Sequence, residues 1–412
     1  MLKAKLIKYC NRVTEFSLYA LAFYVPVSTA LIESFAGLAI TAWLVKKIAS
    51  GEGMSSLLRN NFLSLPVLFY VLICIVSSFF SSNPAISFRH FVFKTLEYAL
   101  IFFIAAEIID AKFLRNILVV LTISVSLVGI DGLFQHFTNF DFFRGRGQVI
   151  IGRINGPFTT PTDFACYVVS LFPLVASFSF ASFKKKWIRW MLIIMSAVLF
   201  ICLILAATRS AWVAVLLVIP FAGVFLGRKR TLTGIALLAV FILLFLPLRP
   251  HMAKERISAL FTKDKRIVLL CDRPYLLGTG YNMFIDAPVL GQGLGTFMYN
   301  FNRFKPAPKS YAVEVGISYA HNCLLQIAAE TGLMGLASFL LIIAVLFAVS
   351  LRLLRRINKE GFYYYGFCGL NIGIFTYLVS SLFDTNLYSV PLAALFWLML
   401  GLAVVAKNVV EG

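Results

Sequence analysis

The side chains in this sequence that could do chemistry fall into a few groups. His321 stands beside Asn322, and Gln326 and Glu330 follow Asn322 at i+4 and i+8. On a helix these three form one polar stripe, and it leads into an apolar run. Polar groups at membrane depth are costly and face a cavity or a partner. Only histidine has an ordinary pKa between about 5 and 8. His321 therefore reads either as a satisfied structural histidine or as a general base or orienting donor. The run from 321 to 351 is long for one span, and Gly332 marks an expected kink, with Gly335 just after it.

The second group is cationic. Arg209 interrupts an apolar stretch, as a residue snorkelling to headgroups or as a phosphate-binding arginine at a cavity mouth. Arg273 precedes an amphipathic pattern (Leu277, Tyr281, Phe284, Ile285) that suits a helix lying on a membrane surface. Asp272 can cap that helix, Pro274 fits its first turn, and Pro288 stops it. Pro288-Val-Leu-Gly-Gln-Gly-Leu-Gly295 follows, with glycines that permit tight turns or close backbone approach. Arg144, Arg146 and Arg153 cluster before Gly156-Pro157-Phe158, and Arg266 adds to the charge ahead of Arg273. No HExxH, DxD or GxxxxGK[ST] motif and no paired loop carboxylates occur, so no metal or nucleotide-triphosphate mechanism is expected. No CxxC pair occurs among the 7 cysteines.

The elements that must position these residues are membrane helices. The chain has 412 residues, 60% hydrophobic and only 13% charged, with a mean hydropathy of +0.88. This composition excludes a soluble enzyme, a coiled coil and a disordered chain. Twelve apolar runs of roughly span length are expected, at 16–31, 33–48, 62–81, 91–108, 116–135, 162–182, 188–207, 210–226, 231–248, 324–351, 362–383 and 387–406. The stretch 188–226 would be about 58 Å long as one helix. That is twice the hydrocarbon core, so it should fold into two spans with Arg209 at the turn.

The formal net charge is +19, which in a soluble protein would suggest nucleic acid; here it is first read as orientation. With the N-terminus inside, 21 of the 37 Lys and Arg residues fall on alternate, inner loops, as the positive-inside rule requires. Ten more lie in the long outer segment 249–320, against five acids. That excess suits either anionic lipid or an anionic, phosphorylated substrate on the non-cytoplasmic face. The expected organisation is one all-α integral membrane domain: spans 1–9 in 1–248, a periplasmic segment with short amphipathic helices in 249–320, and spans 10–12 in 321–412. No internal repeat supports an inverted-repeat transporter.

The chain resembles the O-antigen ligase and polymerase family of bacterial membrane glycosyltransferases. The matching stretches are His321-Asn322-x9-Gly332-x2-Gly335, Arg273 with Pro288 fifteen residues on, Thr208-Arg209-Ser210-Ala211-Trp212, and Arg153-Ile-Asn-Gly156-Pro-Phe158. Val213 and Leu277 stand where the family more often has Leu and Trp. The resemblance implies a cofactor-free, metal-independent enzyme of the bacterial inner membrane, with both termini cytoplasmic. Its donor would be a glycan on undecaprenyl pyrophosphate and its acceptor a hydroxyl. It also implies that Arg209 and Arg273 bind the pyrophosphate and that His321 activates the acceptor. Arg153, Arg146, Arg266, Asn322 and Gln326 are expected to contact substrate.

The length and the single basic outer loop resemble ligases most, with lipid A–core as acceptor and membrane lipids as surroundings. An O-antigen polymerase and a protein O-oligosaccharyltransferase are alternatives within the family, and a polyprenyl-glycan flippase lies outside it. A flippase should carry cations through both leaflets; here the distinctive polar groups gather near one face, which favours an enzyme.

Overall fold

A computed structural model describes residues 2–51, 53, 61–150, 152–230, 232, 234–236, 239, 273–306, 319–357 and 361–412. Most of the ninth expected span, and Arg266, His251 and Asp272, lie outside them. Among the described residues every regular element is helical, with two isolated β-bridges (Phe140 to Gly147, Ile150 to Arg153).

The helices are α1 (Leu2–Tyr24), α2 (Thr29–Ser50), α3 (Ser64–Phe79), α4 (Pro84–His90), α5 (Glu97–Glu107), α6 (Ala111–Thr138), α7 (Pro161–Phe178), α8 (Lys186–Ala206), α9 (Arg209–Leu226), α10 (Arg273–Asp286), α11 (Phe297–Phe304), α12 (Cys323–Arg356), α13 (Phe362–Ser381) and α14 (Val390–Glu411). Seven of them, α2, α6, α7, α8, α9, α12 and α14, are long and apolar enough to cross a membrane. The other expected spans among the described residues are helices that miss one requirement. Lysines and an arginine fill the first half of α1, α3 has 16 residues, and α13 carries four tyrosines, an asparagine and several glycines. A π-helical turn, Phe91–Leu96, joins α4 to α5.

The first two spans part at Val25–Ser28, earlier than the apolar runs suggested. Pro26 lies in that turn, and Ser28 caps α2 by accepting from the Leu31 amide. The break at Arg209 falls where expected. Ala207 turns left-handed (φ 50°), and α9 begins at Arg209.

Helices α7 and α14 form the centre and are buried almost all round. Their faces take α13 and α5. Small residues let these helices approach closely, as is usual where burial in lipid supplies no drive for helix association. A Cβ on Gly373 of α13 would come within 2.2 Å of the Ser170 carbonyl of α7.

Candidate active site

His321, Asn322 and Cys323 all hold one short segment, the link between α13 and α14. His321 Nδ1 lies 3.0 Å from Asp384 Oδ1. Asn322 Nδ2 donates to the Leu382 carbonyl (3.0 Å), while its Oδ1 caps α12 by accepting from the Leu325 amide (2.9 Å). The Cys323 thiol donates to the Asp384 carbonyl (3.3 Å). His321 itself is left-handed (φ 50°). In a residue with a Cβ that conformation costs about 1–2 kcal/mol and persists only where the surroundings enforce it. Its side chain is 37% exposed. An ionised Asp384 accepts from Nδ1–H, which leaves the Nε2 lone pair available.

Asp384 did not emerge from the sequence. A signal was present: it is the only carboxylate between Gly361 and Val410, in a link that the charge pattern puts on the outer side.

The kink at Gly332 is the second feature. Gly332 takes φ 65° and ψ −167° and divides α12. The break frees backbone groups on both sides, and the glycine-rich segment after Pro288 satisfies them. Gln292 N donates to Ala329 O (3.0 Å) and Gly293 N to Glu330 O (2.8 Å), while Leu333 N and Met334 N donate to the carbonyls of Pro288 (2.8 Å) and Val289 (3.2 Å). A Cβ on Gly332 would meet the Val289 carbonyl oxygen at 2.2 Å. The two glycine stretches thus form one interlocked unit. Ser77, Ser82 and Ser87, around the end of α3 and in α4, donate hydroxyls to the Leu290, Gln292 and Leu294 carbonyls from the opposite side.

Glu330 closes this unit. Fully buried, it accepts from Gly295 N (2.9 Å), Phe297 N (3.4 Å), Gln326 Nε2 (2.9 Å) and Tyr388 Oη (2.9 Å). Gln326 Oε1 in turn accepts from Ala320 N (2.8 Å), next to His321. The polar stripe read from the sequence exists, but Asn322 and Gln326 spend their amides inside the protein. They hold His321 in place.

Helix α10 ends before Pro288, as expected. Leu276, Thr279, Gly280 and Met283 form its buried face, and Gly280 packs on Ala320 and Leu325. Leu277, Tyr281 and Ile285 point outward, which fits a helix whose other face meets lipid. Arg273 lies seven residues before Gly280, so about 10 Å along the axis, at the exposed start of this helix.

Arg209 is exposed on the first turn of α9. Arg153 braces the turn before it, donating from Nε to Ala206 O (2.9 Å) and from Nη2 to Thr208 Oγ1 (3.0 Å). Thr208 Oγ1 also lies 3.3 Å from the Pro161 carbonyl at the start of α7. Two residues on, Asp163 accepts from Ser389 Oγ (3.4 Å), at the end of the same link that carries Asp384. A continuous chain of neighbours therefore runs from the Arg209 turn to Asp384 and His321. The guanidiniums of Arg209, Arg273 and Arg146 bond no described residue, and all three are exposed. Arg144 is used structurally, donating to the Val27 carbonyl. Among the described residues no group of His, Cys, Asp and Glu has the makings of a metal site.

The architecture is that of a multi-pass helical membrane protein in which a pinned histidine and free arginines gather at one end of the bundle. Residues 194–340, from within α8 to within α12, match the family model described as O-antigen ligase. Among curated proteins the chain has no match. The matched family points to a ligase- or polymerase-type glycosyltransferase acting on lipid-linked glycan.

Proposed function

We propose that the protein is an O-antigen ligase of the bacterial inner membrane, with twelve spans, both termini cytoplasmic and its site facing the periplasm. It transfers a glycan from undecaprenyl pyrophosphate to a sugar hydroxyl of lipid A–core oligosaccharide. The observation that carries this reading is the pinned imidazole: His321 holds Asp384 through Nδ1 and keeps Nε2 for an acceptor hydroxyl. Free arginines stand at the same end.

The chemistry follows from these groups. The acceptor O–H gives its proton to His321 Nε2 as the oxygen bonds to the anomeric carbon. The C–O bond to the pyrophosphate breaks, and its electron pair leaves with the phosphate. Arg209 and Arg273 offer planar forks that match phosphate oxygens, and they stabilise the negative charge that grows on the leaving group. Arg146 extends this cationic surface, and Arg153 acts by holding the Arg209 turn. In-line attack inverts the anomeric centre.

The test is a purified-protein assay with a lipid-linked glycan, offered a lipid A–core acceptor and a second donor molecule without an energy source. Product on the core supports the ligase. Longer lipid-linked chains would identify a polymerase, and no transfer by folded protein would remove the enzyme reading.

A further inference from the structure

At the end of the bundle opposite His321, helices α1, α2 and α5 enclose a polar cavity of about 130 Å³. That is several times the ~30 Å³ share of one water. From His90, near the site, to Glu107 the chain stays helical, a rise of about 25 Å, so this cavity and the catalytic end are a membrane thickness apart.

The lining has matched but unused capacity. Glu107 is satisfied: Lys46 Nζ (3.0 Å) and Lys47 Nζ (2.9 Å) contact Oε1, and Trp43 Nε1 donates to Oε2 (2.8 Å). Lys46 has three N–H donors, and its bond to Glu107 leaves it able to donate to a further acceptor. Glu15 lines the cavity and bonds none of the described residues. Thr14 is also among the lining residues, and its buried hydroxyl has no partner among the described residues. Buried polar groups of this kind are satisfied by water or a ligand. Ile104 and Ile108 supply an apolar side, and Leu44, Val45 and Ile48 are exposed on the turns of α2 around Lys46, where a spanning helix meets acyl chains.

We propose that this cavity binds a phosphoethanolamine group, presented by a phospholipid of the surrounding leaflet: its phosphate oxygens take hydrogen bonds from Lys46 and Thr14, and its ammonium donates to Glu15. A purely anionic headgroup would leave Glu15 unpaired, and a choline would bring a cation with no N–H to give. The exposed apolar residues around the opening favour the lipid over a soluble source of the same group.

The experiment uses the full chain in detergent, with phosphatidylethanolamine, phosphatidylglycerol, phosphatidylcholine or glycerophosphoethanolamine added. Bound lipid is read by native mass spectrometry as the ratio between lipids within one sample, which does not depend on how much protein is folded. Phosphatidylethanolamine should be retained preferentially. Glu15→Gln and Lys46→Gln should each weaken that preference by about tenfold, the worth of one charge-assisted hydrogen bond. Thr14→Val keeps the side-chain shape and should weaken it by less. Equal retention of all three lipids would show a merely hydrated cavity, and a preference that survives Glu15→Gln would overturn this cavity as the headgroup site. A preference for phosphatidylglycerol would overturn the zwitterionic headgroup, and equally tight binding of glycerophosphoethanolamine would overturn the lipid as its source.

Discussion

His321 and Asp384, 63 residues apart in the chain, meet at 3.0 Å between Nδ1 and Oδ1. The contact fixes which ring nitrogen faces outward and couples the start of α12 to the link before α14. Asp384→Asn keeps the shape and removes the charge. Transfer by this variant should fall by about tenfold or more, the value of one charge-assisted hydrogen bond, with donor binding retained. Unchanged turnover would show that the carboxylate does not serve the imidazole.

The free arginines make a second prediction. Arg209→Lys and Arg273→Lys keep a positive charge but lose the fork. Both side chains are exposed and bond no described residue, so folding should be normal while transfer falls steeply. Each variant can be compared by turnover and thermal unfolding on one preparation. Near-normal turnover in both would take these arginines out of the site.

The interlocked glycine unit predicts a contrast in stability. Gly332→Ala puts a Cβ 2.2 Å from the Val289 carbonyl oxygen in a left-handed conformation. It should lower the unfolding temperature and, by shifting the start of α12, the activity. A Cβ on Gly37 of α2 would meet nothing within 4 Å, and Gly37→Ala should be neutral or stabilise by up to about 1 kcal/mol. Equal effects would mean the break at Gly332 is not held by the Pro288 segment.

Glu330→Gln tests the buried carboxylate. Four donors converge on it, and an amide must turn an N–H toward at least one of them. Destabilisation of about 1–3 kcal/mol is expected, the cost of an unmatched buried polar group. Tyr388→Phe removes only one donor and should cost less. Thermal unfolding of both variants checks the order.

The sequence made the helices legible because lipid demands long apolar runs, and it made the breaks at Arg209 and Gly332 legible because a polar triplet and a glycine interrupt such runs. His321 stood out by type and motif. What was hidden depends on contacts across the chain. Asp384 becomes meaningful only once the α13–α14 link is folded against α12. Asn322 and Gln326 read as substrate ligands in the sequence, and the bonds they make to Leu382, Leu325, Ala320 and Glu330 join parts of the chain that no local pattern connects. Arg153 looked like one more outer cation, yet it braces the turn that presents Arg209. The serines at 77, 82 and 87 gave no signal, because a serine's partner is a backbone carbonyl that no side-chain pattern encodes.

The central claim is that His321 takes the acceptor proton, and it is tested most directly by the turnover of His321→Ala per folded, donor-binding molecule. Loss of a positioned general base costs about 10²–10⁴-fold, so turnover should drop by that order while the donor still binds through the arginines. A variant that keeps its rate within about threefold of the parent, far short of that loss, and is merely less stable or less abundant would make His321 a structural residue and contradict the mechanism.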